Sequence, residues 1–98
     1  MPDLKMKILV VDDMSTMRRI IKNALRQLGF LNIEEAEDGQ VALQKVKQWP
    51  VDLIITDWNM PNMDGLDLLK AIREDPTYKQ IPVLMVTAQA EQKSVLEA

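Results

Sequence analysis

The sequence predicts an α/β domain in which a parallel sheet carries helices on both faces, a doubly wound architecture. Four short apolar runs typical of strands occur at residues 7–11, 33–36, 52–57 and 81–86. Segments with helical periodicity separate them, and strands that alternate with helices form parallel sheets through right-handed crossovers. The 98 residues suffice for one small domain, so residues 1–98 are expected to form a single domain.

The first strand and helix are the most clearly marked elements. Lys7 to Val11 is a run of apolar and β-branched residues typical of a buried parallel strand. A helix is expected from Ser15, its predicted N-cap, to about Leu28, because Gly29 occupies the position of a C′ glycine. Its apolar residues follow helical spacing: Met17, Ile20, Ile21, Ala24, Leu25 and Leu28. Its basic residues are expected to form a solvated face: Arg18, Arg19, Lys22 and Arg26.

The same alternation continues along the chain. After the strand at 33–36, Asp38 and Gly39 begin a helix that ends at about Gln48, before a proline. The strand at 52–57 contains consecutive apolar residues, which predicts that both of its faces are covered. A loop at 58–63 leads to a helix capped by Asp64, and the fourth strand ends at Thr87. A further helix is expected from residue 91.

Composition excludes several classes of protein. The chain has no Cys and no His, which rules out disulfide scaffolds, Cys or His zinc sites and His-dependent nucleophilic catalysis. The net charge of -3 disfavours binding to nucleic acid through bulk charge. No apolar run has the roughly 18 residues of a membrane span, and the charged start does not resemble a signal peptide. We therefore expect a cytoplasmic protein that binds neither nucleic acid nor membrane.

Carboxylates follow two of the predicted strands. Asp12 and Asp13 come directly after the first strand and Asp57 ends the third, while Thr87 follows the fourth. In open α/β sheets, ligands bind beyond the carboxyl ends of the strands. Three carboxylates that meet there would repel one another, and a divalent cation would relieve that repulsion. Mg²⁺ suits the site, since it binds a few carboxylates and retains water.

Such a site could transfer a phosphoryl group. A carboxylate beside Mg²⁺ can attack phosphorus and form an acyl phosphate. Asp57 is the best-placed nucleophile because it stands alone at a strand end, and the Thr87 hydroxyl could donate to a phosphoryl oxygen. Taken singly, each residue has an ordinary alternative: Asp12 and Asp13 as a strand-end turn, Asp57 as a loop residue, and Thr87 as a helix cap.

Three segments of the sequence resemble one known family. The run Lys7 to Asp13, the run Asp57-Trp58-Asn59-Met60-Pro61-Asn62-Met63-Asp64-Gly65, and the strand Val83 to Ala88 are similar to the corresponding segments of response-regulator receiver domains. The similarity extends over the whole chain and is strongest to receivers that regulate chemotaxis. It implies the flavodoxin-like fold, whose strand order in the family is 2-1-3-4-5.

The resemblance also implies roles for individual residues. Asp57 would accept a phosphoryl group from a sensor histidine kinase, and Thr87 would bind that group and move on activation. Asp13 and Asp57 would bind Mg²⁺ through carboxylates, Asn59 through its backbone carbonyl, and Asp12 through a water molecule. The output implied is control of flagellar rotation through the motor switch protein.

The chain departs from the family pattern after the fourth strand. The family's fifth strand, with its essential lysine, and its fifth helix have no counterpart here, and Lys93 lies at the wrong position to replace that lysine. We therefore expect a receiver that is incomplete at its C-terminus, with strand order 2-1-3-4. Its fourth strand would be an apolar edge that favours a homodimer or a segment-swapped oligomer, and phosphorylation or its output would be impaired.

Three other functions are alternatives to phosphoryl switching. A phosphatase with an aspartyl nucleophile would need Asp-x-Asp after the first strand, where this chain has Asp12-Asp13-Met14. A flavin binder of the same fold would need a phosphate loop at that position, and two carboxylates there would repel a phosphate. The third alternative, an inert or dimerising interaction module without phosphoryl switching, remains open.

Overall fold

The computed structural model describes residues 4–86. Strands and helices alternate in the order β1 (Ile8–Val11), α1 (Ser15–Gln27), β2 (Ile33–Ala36), α2 (Gly39–Gln48), β3 (Leu53–Asp57), α3 (Gly65–Glu74) and β4 (Val83–Val86). The four strands form one parallel sheet in the order β2-β1-β3-β4. The predicted fold class and strand order are therefore confirmed. The helix expected from residue 91 lies outside the described residues.

The sheet separates two apolar clusters, since successive side chains of a strand point to opposite faces. On one face Leu9, Val11 and Ile54 pack with α2 and α3, and this cluster includes Leu68 and Ile72. On the other face a smaller cluster contains Ile8, Val10, Phe30 and Ile55, with Ile21 and Leu25 of α1 packed against it. The central strand β1 is completely covered on both faces, as its apolar sequence predicted.

Helix α1 differs from its prediction in two respects. Ser15 is the first helical residue and not the cap; Met14 holds the N-cap position without a side-chain cap, and Asp12 Oδ1 accepts a hydrogen bond from Met14 N–H instead. The expected apolar face is only partly covered by the rest of the fold, since no residue of α1 is fully buried. Ile20 is 52% exposed and Leu28 is 68% exposed. The helix covers the sheet with one side of its apolar stripe.

Only part of the basic face of α1 is the expected solvated surface: two of its four basic residues are exposed, and the other two pair with β2. Arg18 Nε donates to Glu35 Oε1 at 2.9 Å and Lys22 Nζ donates to Glu35 Oε2 at 2.8 Å, so both cations pair with β2. These two bonds lower the pKa of Glu35, with the Lys22 bond contributing most. In addition, Arg18 Nη1 donates to the backbone oxygen of Asp12 at 2.6 Å. Polar contacts thus connect α1 both to β2 and to the end of β1.

The other helix ends follow the sequence prediction. Asp38 Oδ1 caps α2 by accepting from Val41 N–H at 2.9 Å, and Asp64 Oδ1 caps α3 by accepting from Asp67 N–H at 2.8 Å. Gly29 has a φ of +104°, the left-handed conformation expected at a C′ glycine. Within residues 4–86, no helix is both long and apolar enough to cross a membrane.

Candidate functional site

The strand register brings the three predicted carboxylates together. Val11 of β1 pairs with Thr56 of β3, so the next residues, Asp12 and Asp57, lie side by side at the carboxyl ends of these strands. One carboxylate oxygen from each of Asp12, Asp13 and Asp57 lies within 4.8 Å of the others. Asp12 is buried, Asp57 is partly buried and Asp13 is exposed. The cluster therefore lies at the carboxyl edge of the sheet, with one side open to solvent.

The electrostatics of this cluster favour a cation. Burial raises the pKa of Asp12 above its ordinary value of 3.8, and the nearby charges of Asp57 and Asp13 raise it further, while the Met14 N–H bond partly opposes the shift. The positive side chain of Arg18 bonds to the backbone oxygen of Asp12. An all-oxygen donor set that concentrates negative charge and is open on one side fits Mg²⁺ with its retained waters.

The Asp57 main chain is closely packed against the start of α3. A Cβ atom added at Gly65 would lie 2.1 Å from the Asp57 carbonyl oxygen, so only glycine fits there. That oxygen also accepts a hydrogen bond from Thr56 Oγ1 at 3.0 Å. The Asp57 carboxylate accepts from Trp58 N–H through Oδ1 at 2.7 Å. These contacts fix the backbone and one carboxylate oxygen of the predicted phosphoacceptor.

The loop after Asp57 carries the fourth predicted metal ligand. Asn59 is exposed in this loop, two residues beyond Asp57, and its participation through a backbone carbonyl remains a prediction. The loop closes on itself, since Gly65 N–H donates to the Trp58 carbonyl at 3.0 Å. Thr87 lies outside the described residues. It directly follows Val86, the partner of Asp57 in the β3–β4 register.

Sequence reasoning missed two contacts around the site. Asn62 Nδ2 donates to Asp38 Oδ2 at 2.9 Å, although the two residues are 24 positions apart. Asn62 has a φ of +67°, which Asn tolerates better than most residues, so its place after Pro61 was a usable turn signal. Nothing in the sequence, however, indicates its partner. The bond from Arg18 to the backbone of Asp12 could not be predicted either, because every residue type carries a backbone carbonyl acceptor.

Comparisons of the sequence with known proteins point to one family. Residues 8–98 match the family model described as the response regulator receiver domain. The chain is 58% identical over 93 residues to the chemotaxis protein CheY-3 of Vibrio cholerae, covering 95% of this chain and 72% of that protein. It is also 58% identical to the chemotaxis protein CheY of Pseudomonas aeruginosa, over 95% of this chain and 75% of that protein.

Solved structures show the same architecture. A structure of Vibrio cholerae CheY4 matches with a TM-score of 0.80 at 36% identity, covering 95% of this chain and 77% of that one. A putative response regulator from Chloroflexus aurantiacus matches with a TM-score of 0.84 at 33% identity, covering 94% of this chain and 75% of that one. Together with the order of the strands and the acidic edge, these similarities establish that the chain belongs to the response regulator receiver domain family, among its chemotaxis members.

Proposed function

We propose that the chain is a phosphoacceptor of two-component signalling in which Asp57 is phosphorylated in a Mg²⁺-dependent reaction. The observation that carries the proposal is the register of β1 and β3, which gathers three carboxylates within 4.8 Å at the sheet edge of a receiver-family chain. Asp57 is the member of this cluster whose main chain is fixed by α3. Asp12, Asp13, Asp57 and the Asn59 backbone carbonyl are the groups proposed to hold Mg²⁺.

The reaction proposed is transfer from a phosphohistidine of a sensor kinase. An Asp57 carboxylate oxygen attacks phosphorus and the phosphorus–nitrogen bond breaks, which produces an acyl phosphate. The imidazole of the kinase, already protonated on its other nitrogen, takes the bonding electron pair and leaves as a neutral ring. Mg²⁺ would neutralise charge on the transferred group. The Trp58 N–H already donates to Asp57 Oδ1 and holds that oxygen in place, so the carboxylate is oriented before the donor arrives. Thr87 is proposed to donate its hydroxyl to a phosphoryl oxygen.

The output proposed is chemotaxis. The relatives named above are chemotaxis proteins, which supports a role in chemotaxis. We propose that the chain is a cytoplasmic regulator that signals to the flagellar motor switch, as its resemblance to chemotaxis receivers implies. Hydrolysis of the Asp57 acyl phosphate by water would end the signal. We propose this hydrolysis as a self-catalysed step of the receiver and not as turnover of an external substrate.

Acetyl phosphate provides the direct test, because it supplies a phosphoryl group without a kinase. Incubation with acetyl phosphate and Mg²⁺, followed by intact mass measurement, should show one added phosphoryl group that is absent without Mg²⁺ and absent in Asp57→Asn. Asp64→Asn is the matched control, since Asp64 caps α3 from the same loop and Asn retains the cap oxygen. Failure of the unmodified chain to gain phosphoryl mass at any time would refute the proposal.

A second candidate function, a dimerising interaction module, is favoured by exposed apolar residues at the sheet edge and on α1. Leu84 of β4 is 53% exposed on an edge of the described sheet, and Ile20 and Leu28 of α1 are also exposed. An apolar edge strand is a template for pairing with another chain. Sedimentation should then show a dimer that Leu84→Lys converts to a monomer. A monomer at all concentrations would refute this candidate, and a dimer that takes no phosphoryl group would favour it over switching.

A further inference from the structure

Asp38 makes two bonds with its two carboxylate oxygens. The residue is only 6% exposed. Its Oδ1 accepts from Val41 N–H and caps α2, while its Oδ2 accepts from the Asn62 amide at 2.9 Å. The Val41 bond contributes most to lowering the pKa of Asp38, followed by the Asn62 bond and a smaller contribution from the Gln40 backbone, while burial opposes the shift. A helix cap needs one oxygen, so the second oxygen is available for a separate task.

The second oxygen holds the loop that follows Asp57. Asn62 lies in that loop with a left-handed φ of +67°. Beside it, Gly39 N–H donates to the Met63 carbonyl at 2.9 Å, and a Cβ atom at Gly39 would lie 2.6 Å from that carbonyl oxygen. The far part of the loop is therefore in direct contact with the first turn of α2, through a side-chain bond and a backbone bond.

The same loop is fixed at its other end by the site. Trp58 N–H donates to Asp57 Oδ1, and the Trp58 carbonyl accepts from Gly65 N–H. Asn59 lies between these bonds and the contacts of Asn62 and Met63. Its backbone can shift only as far as both attachments allow, since a short loop with fixed ends has few conformations.

We propose that Asp38 and Asn62 are positioning residues that set the Mg²⁺ affinity of the acidic site by fixing the loop that carries Asn59. Neither residue belongs to the carboxylate cluster, so the pair acts through the loop backbone. The inference rests on the proposed function, because it assumes that Asn59 supplies a metal ligand. Partners that orient metal ligands typically change metal affinity by about tenfold or more when removed.

Two variants remove the bond between Asp38 and Asn62 while keeping the cap oxygen at residue 38 or the left-handed φ at residue 62. Asn62→Gly removes the amide, leaves charge unchanged and accepts the left-handed φ. Asp38→Ser retains a cap oxygen for Val41 N–H but has no second oxygen for Asn62. Asp38→Asn is the conservative variant, because one oxygen can cap α2 and the amide can donate to a flipped Asn62. Asp75→Ser controls for lost charge, since Asp75 accepts from Thr77 N–H beyond the end of α3.

The experiment measures the Kd for Mg²⁺ by calorimetry. It also measures the rate at which acetyl phosphate phosphorylates the chain, as a function of Mg²⁺ concentration. Asn62→Gly and Asp38→Ser should each raise the Kd by about tenfold, and their rates should recover at saturating Mg²⁺. The double variant should be no weaker than either single one, because both remove the same bond. Asp38→Asn and Asp75→Ser should keep the parent Kd. Thermal melting without Mg²⁺ establishes that each variant is folded.

Three outcomes would overturn the inference. If folded Asn62→Gly bound Mg²⁺ with the Kd of the unmodified chain, the bond between Asp38 and Asn62 would not be required to position the loop. Additive losses in the double variant would show that the two residues act separately. A parent chain that neither binds Mg²⁺ nor gains phosphoryl mass would overturn the proposed function as well, whereas a working parent with unaffected variants would overturn the positioning role alone.

Discussion

Gly65→Ala would place a methyl group against the backbone of Asp57. The added Cβ would lie 2.1 Å from the Asp57 carbonyl oxygen and 3.1 Å from its carbonyl carbon. Neither atom can rotate away, as the end of a flexible side chain could. Relief of the contact requires α3 and β3 to separate by about 1 Å, because packed atoms in a protein interior leave no spare volume.

Two losses should follow from this displacement. Overpacking of this kind lowers the free energy of unfolding by roughly 1–3 kcal/mol. Ala favours helix over Gly, but Gly65 lies at the first position of α3, where propensity offsets little of that loss. A displacement of about 1 Å at a reacting group can also slow a reaction about a hundredfold. The rate of phosphorylation of Asp57 should therefore fall well beyond the fraction of protein that unfolds.

Urea denaturation without Mg²⁺ measures the first loss, and the rate of phosphoryl adduct formation from acetyl phosphate measures the second. Gly29→Ala is the matched control, since Gly29 lies next to Leu4 and precedes β2, at the amino ends of the strands. Its left-handed φ should cost Ala about 1–2 kcal/mol, and the folded fraction should react at the parent rate. If Gly65→Ala had the parent stability and rate, the close approach would not constrain the site.

Two further predictions concern charge. Asp12→Asn should raise the free energy of unfolding at neutral pH without Mg²⁺, because burial and the neighbouring carboxylates raise the pKa of Asp12 in the folded state. Protonation of Asp12 relieves the same cost, so the stability difference measured by urea denaturation should shrink as pH falls through that pKa. A stability difference that stays constant with pH would contradict the reasoning. Glu35→Gln should lower the free energy of unfolding by less than about 1 kcal/mol at low salt, because the pKa of Glu35 is lowered by Lys22 and Arg18. The stability difference between the variant and the unmodified chain should disappear as pH falls through the folded-state pKa of Glu35, and also as salt rises. Glu34→Gln is its control, since the Glu34 pair with Lys45 is longer, at 3.6 Å, and more exposed, and should change nothing measurable.

The sequence predicted those features that depend on residue type and order. Four apolar runs gave the strands, and the two strand-end positions of Asp12 and Asp57 predicted that these carboxylates would lie side by side. The caps at Asp38 and Asp64 were equally visible, because a capping carboxylate acts on a residue three positions away. The roles of all the proposed site residues stay predictions: Asp12, Asp13, Asp57, Asn59 and Thr87.

Features that depend on tertiary contacts could not be predicted in this way. Helical spacing placed Ile20 and Leu28 on the apolar face of α1 but could not show that the described fold leaves them exposed. The expected Ser15 cap was wrong, because Asp12 binds Met14 N–H and shifts the helix start. The pairing of Asp38 with Asn62 joins distant segments, and no local pattern records it.

Helix α1 has a consequence for how the domain opens locally. None of its residues is fully buried, and it is attached through Arg18 and Lys22 to Glu35 and through Arg18 to the backbone of Asp12. Segments with few buried contacts detach before the core unfolds, so its amide protons should exchange with solvent faster than those of α2. Detachment would also release the backbone oxygen of Asp12, beside the acidic cluster. A cation that orders this cluster should therefore slow exchange along α1, a helix that supplies none of the proposed ligands.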